Sequence, residues 1–516
     1  MNRSPAKNKS TKKSSKTLSR SEKDKDIAKA NTKDEVIEKN TTKPEDTVDV
    51  KDNAYKYVPI MTKMPSLETS IFDFDPNVNF STNIDYPRSE YGFHHFIHSN
   101  KNKTEKLQQF EGKKKVYLVF NRFERYVDGY EESIGAVTKE FFGSESDSPD
   151  ILSRGFYKLW EIILLFDLID LTRDKFVSAH LAEGPGSFIQ ATMFYRDTYC
   201  KKGLAKNDKY YAVTLHPEDL GGKEYVPELE KKFVDHYKKE KPQRFVLHET
   251  YTKQVAGGSA TKDNGDITDP KTIKLFGGQM DEKADLITGD GGFEWINENV
   301  QEQEAFKLII AQVVASAKLQ KKGGSFVCKF FETFTKTSLK IIAMLVALYD
   351  TVYFVKPLTS RSSNSEKYAV CIGFKYDDKH KDFKGIMKKL ETMLQSIHKN
   401  NDTKEKIIDI FPEFVVPHNL IVSAIDLNRS ISNPQLKSIG EIISFVDKEI
   451  YSGDEYHERK AEQIEGTKYW LDLFLPSASE ISKKRKDYDK IVKHTVKSSD
   501  LEINELDKIM VSVHNQ

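Results

Sequence analysis

The sequence predicts an α/β fold, a mostly parallel sheet with helices on both faces, flanked by a mixed N-terminal region and a helical C-terminal extension. Two observations carry that prediction. Between 151 and 375, short runs rich in β-branched and aromatic residues alternate with stretches whose apolar residues recur at helical spacing, the signature of strand–helix–strand units. The first strong strand, 176–181, runs into Gly184-Pro185-Gly186 and then into a helix. In such sheets, ligands bind off the carboxyl ends of the strands at a turn of this kind.

The helical pattern opens at 154–169, where Phe156, Leu159, Ile162, Ile163 and Phe166 share a face. Strands are expected at 176–181, 210–215, 285–289, 325–330, 352–355 and 368–374. Helices are expected at 188–195, 302–319 and 338–349. A short loop joins the last two strands, so they are expected to form an antiparallel hairpin at the sheet edge. Residues 53–150 gain aromatics (Phe72, Phe74, Tyr86, Tyr91, Phe93, Phe96) and read as an ordered accessory region without assignable chemistry. Residues 376–516 read as mostly helical and charged, with a more apolar segment at 468–475. Residues 1–52 hold almost no large apolar side chain and are expected to be disordered, because burial there cannot offset chain entropy. The first 20 residues carry Lys and Arg but no acid, which suits an RNA tether, a localisation signal or a solvated tail.

The chain has 516 residues and a formal net charge of +1, so it is not a globally basic nucleic-acid binder. Any RNA contact must come from local patches. Cys200, Cys328 and Cys371 are scattered without metal-ligand spacing and read as free thiols of a reducing compartment. The longest apolar run, 341–349, is far short of the roughly 20 residues of a membrane span and fits a packed helix. The N-terminus lacks the apolar stretch of a secretory signal. The expected location is the cytoplasm, with the nucleus as alternative.

Four motifs carry chemistry. His180-Leu181-Ala182-Glu183-Gly184-Pro185-Gly186-Ser187-Phe188 joins a strand to a helix, where glycines let the backbone approach a ligand and the helix start offers N–H groups. In 285–293 a strand runs into Asp290, then Gly291 and Gly292, placing an acid at the ligand crevice. In 323–330 a lysine, Lys329, ends a buried strand, where its charge must be paired or used. In 356–371 a polar loop joins two strands, with Glu366 just before the second. Singly, each also suits a plain turn, cap or surface charge.

Together, over residues 151–375, they resemble the FtsJ/RrmJ-type ribose 2′-O-methyltransferases, and most nearly the cap-specific mRNA enzymes of eukaryotes and large DNA viruses. The stretch Ser153-Arg154-Gly155-Phe156-Tyr157-Lys158 resembles the family motif bearing its first catalytic lysine. The stretch Asn264-Gly265-Asp266-Ile267-Thr268 resembles the segment whose acid contacts the donor's adenine. The resemblance implies a Rossmann-like S-adenosylmethionine-dependent fold with a mostly parallel seven-stranded sheet. It implies a catalytic set of Lys158, Asp290, Lys329 and Glu366. It also implies a donor site of Glu183, Gly184, Pro185, Gly186, Ser187, Phe188, Asp266, Ile267 and Asp290, with Glu218 as a candidate for the donor ribose. Two positions depart from the family pattern: His180 replaces the usual acid, and Ser187 the second glycine.

The implied reaction is methylation of a ribose 2′-hydroxyl in capped mRNA, cap 0 to cap 1, with S-adenosylmethionine as cofactor and no metal required. Lys329 is the candidate base or proton relay, while Asp290 and Glu366 orient the lysines. Arg154, Lys356 and Arg361 are candidates for RNA phosphates. The 297–299 segment resembles the cap enzymes' Gln-Glu-Asn, so Glu298 would accept hydrogen bonds from methylguanine, with Asn299 beside it. Trp295 suits either base stacking or the core. Other capping or transcription proteins are possible partners. The alternatives are a ribosomal or transfer RNA methyltransferase, or a non-catalytic RNA-binding subunit that would have lost part of the four-residue set.

Overall fold

The structure, a computed structural model, describes residues 55–87, 90–103, 121–123, 151–215, 229–240, 243–248, 263–292, 298–401, 403–450 and 452–514. The expected disordered tail lies outside them. Strands β3 (Val177–Leu181), β4 (Lys209–Val213), β5 (Phe245–Leu247), β6 (Ala284–Gly289) and β7 (Gln320–Phe330) pair in parallel, in the order β7-β6-β3-β4-β5. Beyond β7 lies β9 (Lys367–Phe374), antiparallel both to β7 and to β8 (Tyr349–Lys356). A four-residue strand from the N-terminal region, β1 (Ile60–Lys63), then pairs antiparallel with β8. The sheet thus has the seven strands expected plus an eighth. The β8–β9 hairpin is present, but it lies one strand in from the edge. Its outer row of backbone groups is paired by β1 instead of left open. A separate ribbon pairs β2 (Val78–Ser81) with β10 (Lys406–Ile410).

Side chains alternate across a strand, so the sheet divides the core into two layers. Val327, Tyr368 and Val370 face one layer, with Phe156 and Trp160 of α2 (Arg154–Phe166) and Phe188 of α3 (Ser187–Tyr199). Phe326, Cys328, Ala369 and Cys371 face the other, with α6 (Gln301–Leu319), α7 (Lys336–Leu348) and α8 (Phe383–Lys399). The apolar run 341–349 fills the buried heart of α7, and no helix among the described residues is long and apolar enough to cross a membrane. Short α1 (Tyr91–Lys101) lies in the chain between β2 and α2, α4 (Lys231–Glu240) sits on the α3 face, and α5 (Pro270–Gln279) sits on the α6 face.

Ser153 caps α2 by accepting the Gly155 N–H at 3.1 Å. The helix stops at Phe166, short of 169, because Asp167 turns left-handed (φ 48°). The charged C-terminal region is helical: α9 (His418–Asp447), α10 (Asp454–Phe474) and α11 (Ile481–His514). Its apolar 468–475 segment packs on α2. Trp160 Nε1 donates to the Phe474 carbonyl at 2.7 Å, and Trp470 Nε1 donates to Glu161 Oε1 at 3.0 Å. Truncating a fully buried tryptophan such as Trp470 to Ala costs about 3–5 kcal/mol, so α10 is part of the domain core.

Candidate active site

Strand register brings three of the four candidate catalytic residues together. Gly289 pairs with Cys328, so Asp290, one residue on, comes alongside Lys329. Lys329 in turn pairs with Tyr368 across β7 and β9. Glu366 lies two residues before Tyr368 and therefore points to the same face. That is the α2 face, and Lys158 reaches it from the second turn of α2.

The four form two ion pairs. Lys158 Nζ lies 2.6 Å from Glu366 Oε1. Lys329 Nζ lies 3.2 Å from Asp290 Oδ1 and donates to the Asp290 carbonyl at 2.8 Å. Burial would raise the Glu366 carboxyl, but the ammoniums of Lys158, Lys329 and Lys356 outweigh it and hold that carboxyl well below the usual range. The Tyr368 hydroxyl donates to Asp290 Oδ1 at 3.2 Å, and Ser360 Oγ donates to Glu366 Oε1 at 3.1 Å. All these groups meet at the carboxyl ends of β6 and β7.

A buried shell holds the Glu366 side. Glu161, one turn along α2 from Lys158, accepts the N–H groups of Leu358 (2.8 Å) and Thr359 (3.0 Å). Burial pushes its carboxyl up to about 7, against those hydrogen bonds. Lys356 Nζ donates to Ser360 Oγ at 3.2 Å and to Asn364 O, Asn364 Oδ1 and Glu366 O, each at 2.9 Å. Buried and turned inward on its own loop, Lys356 braces residues 357–366. The expected phosphate contact does not fit this placement. Burial brings its ammonium down to about 7, against the pull of Glu366. Arg154 and Arg361 are half-buried, Arg154 at the start of α2 and Arg361 on the braced loop.

The glycine turn after β3 lies beside this cluster. Gly186 adopts φ 111° at the start of α3, where an added Cβ would press on Phe233. Ser187 Oγ lies 2.7 Å from Ser153 Oγ, joining the starts of α2 and α3. A Cβ on Gly155 would meet the Ser187 Cβ at 3.2 Å and Asp290 Oδ2 at 3.5 Å. A Cβ on Gly292 would stand 3.1 Å from Lys329 Nζ. These bare backbone walls line the acid and the lysine. Glu183 does not offer its carboxyl to the crevice: its Oε1 accepts the N–H groups of Phe188 and Ile189, both at 2.8 Å, and caps α3. Burial, with Asp290 nearby, raises that carboxyl well above its ordinary value. Phe188 packs in the core against the Tyr368 ring at 5.8 Å.

Gly184 N–H donates to Thr214 Oγ1 at 3.3 Å, just past β4. Gly265 (φ 75°) lies against the Thr214 carbonyl, where a Cβ would overlap it. The Asp266 turn is therefore brought over the same strand ends. There Asp266 Oδ1 accepts Thr268 N–H at 2.9 Å and Ile267 is buried. His180, in place of an acid, lies inside the sheet with Nδ1 2.7 Å from Thr288 Oγ1 and one ring nitrogen 2.9 Å from Ser178 Oγ. Burial lowers its imidazole to about 3, so it is a neutral stitch between β3 and β6. Glu218, Trp295 and the Glu298 side chain lie outside the described residues. Asn299 Nδ2 donates to Asn102 Oδ1, at the end of α1, at 2.9 Å.

The sequence reading missed Tyr368, Glu161 and Ser360. An acid at 161, amid the apolar face of a helix, was the one available signal: a buried carboxylate needs partners.

Residues 151–374 match the family model described as FtsJ-like methyltransferase. The chain is 29% identical over 258 residues to the cap-specific mRNA (nucleoside-2′-O-)-methyltransferase 1A of Caenorhabditis briggsae, covering 48% of this chain and 26% of that protein. It is 28% identical over 254 residues to a protein of the same species named inactive cap-specific mRNA (nucleoside-2′-O-)-methyltransferase 1B, with the same coverage. A solved ribosomal RNA methyltransferase, putative, from Plasmodium falciparum overlays with TM-score 0.28 and 16% identity, covering 44% of this chain and 99% of that one. The chain thus spans about a quarter of the length of these nematode relatives.

Proposed function

Residues 151–374 are an FtsJ-like methyltransferase domain, and on that premise we propose that the protein methylates the ribose 2′-hydroxyl of the first transcribed nucleotide of capped mRNA. The observation that carries this reading is the convergence of Lys158, Asp290, Lys329 and Glu366 as two ion pairs on one face of the sheet. The nematode relative named inactive indicates that kinship alone does not confer activity, so the reading leans on these side chains.

The crevice suits S-adenosylmethionine, a cationic nucleoside. It is edged by the Asp290 and Glu366 carboxylates, and its walls are bare backbone at Gly155 and Gly292. Backbone groups of Gly184, Pro185, Gly186 and Ser187, with Asp266, Ile267 and Asp290, would hold it. When bound, it supplies a methyl group made electrophilic by the sulfonium. Lys329 takes or relays the 2′-hydroxyl proton as the oxygen attacks. Asp290 and Tyr368 fix the direction of Lys329. Lys158, clamped by Glu366, supplies positive charge beside the oxygen as it becomes more anionic. Arg154, one helical turn before Lys158, and Arg361 would meet RNA phosphates, while Glu298, Asn299 and Trp295 would meet the cap.

The test is transfer from radiolabelled S-adenosylmethionine to RNAs of one sequence, bearing a methylated guanosine cap, an unmethylated cap or a 5′-triphosphate. The labelled nucleotide is then mapped by nuclease digestion. Label is expected on the first ribose of capped RNA. Equal labelling of uncapped RNA, or label on a base, would overturn the proposal.

A further inference from the structure

A second polar cluster lies outside the four catalytic candidates, three residues beyond Lys329. His94 and His98 stand four apart on α1, which puts both rings on one helix face. Their centroids are 4.0 Å apart. Glu332 enters from the segment after β7, and its Oε2 lies 2.7 Å from His98 Nε2. One ligand atom from each of the three residues falls within 4.8 Å of the other two. We propose that His94, His98 and Glu332 bind a divalent cation of the zinc class and so pin α1 to the segment that follows Lys329.

The surroundings are built for it. Lys101 Nζ donates to Glu332 Oε1 at 2.7 Å. That contact orients the carboxylate and leaves Oε2 as a one-oxygen ligand facing the imidazoles, as an outer partner of a metal ligand does. Glu332 and His98 are buried and His94 is half-buried. In their neutral form the two imidazoles offer ring nitrogens as ligands, with centroids 4.0 Å apart. Two imidazoles and one carboxylate, with no thiolate, suit zinc, cobalt or nickel over magnesium or calcium. Three protein ligands leave the fourth position to water. Binding displaces the proton shared between His98 Nε2 and Glu332 Oε2.

The consequence reaches the proposed RNA side. The end of α1 holds Asn299 through Asn102. A cation that fixes α1 therefore also fixes one side of the 298–300 turn.

The test uses the full chain, stripped with chelator, dialysed and titrated with Zn²⁺ alone, with metal content and thermal unfolding as readouts. One tightly held Zn²⁺ per chain is expected, raising the melting temperature. His94→Gln, at a half-buried position, should fold as before and weaken Zn²⁺ more than about tenfold; Glu332→Gln should also lose Zn²⁺, at a cost in stability because Lys101 is left without its buried counter-charge. His95→Gln, on an exposed neighbour, should change nothing. Absence of stoichiometric Zn²⁺, or wild-type affinity in His94→Gln, would overturn the proposal. Neither readout involves methyl transfer, so the two proposals stand or fall separately.

Discussion

The two ion pairs of the candidate site are chemically alike and physically different. Lys158 and Glu366 are 2.6 Å apart with side chains 9% and 15% exposed, and Lys329 and Asp290 are 3.2 Å apart at 13% and 25%. The Glu366 side is braced by Ser360, by Lys356 and, through the 357–366 loop, by Glu161. The Lys329 side has fewer braces, the Tyr368 hydroxyl on Asp290 and the Asp290 carbonyl on Lys329, and it borders Gly292. The comparison suggests a division of labour: one pair holds a shape, and the other stands where a substrate can reach it.

The largest effect should come from the open pair. Lys329→Ala is expected to cut methyl transfer about 10²–10⁴-fold, while S-adenosylmethionine binding by calorimetry stays near wild type. Near-normal turnover in that variant would dissolve the distinction between the pairs.

An intermediate effect should come from the brace. Lys356→Met leaves four acceptors without their donor, so it should lower both stability and turnover. The pH dependence sharpens the test. Because the Lys356 ammonium is held down at about 7 from 10.5, the folded state binds fewer protons than the unfolded chain between those values. Stability from this group is therefore complete only above the unfolded value and is lost as pH falls toward about 7. Wild type should gain on the order of 2 kcal/mol over Lys356→Met between pH 7 and 9, measured by urea unfolding. A constant gap would show that Lys356 does not titrate in that window.

The smallest effect should be that of Tyr368→Phe. It removes one 3.2 Å hydrogen bond to Asp290, worth about 1 kcal/mol, or roughly a fivefold drop in kcat with the donor's KM unchanged. A much larger loss would mean that Tyr368 does more than orient Asp290.

Much of the architecture was legible because its signals are local. Runs such as 176–181 and 368–374 are strongly apolar and bounded by turns, and α2 carries a clear helical face. Among the elements that escaped, β1 with four residues and β5 with three hold too little pattern to stand out, and the helices α1, α4 and α5 were not singled out either. Lys356 was misjudged for a related reason. A lysine beside a polar loop looks like a surface charge until the loop folds back and presents it with carbonyls.

The sequence by itself determined the parallel α/β layering and the glycine turn after β3, since residue type and spacing carry that information, while its resemblance to a family implied the four candidate catalytic side chains. Only the tertiary structure decided how those four divide into a braced pair and an open one. It also decided that His180 and Lys356 serve the fold, and that α1 brings two histidines to Glu332. Each of these depends on burial and on partners from far along the chain, and no local pattern encodes either.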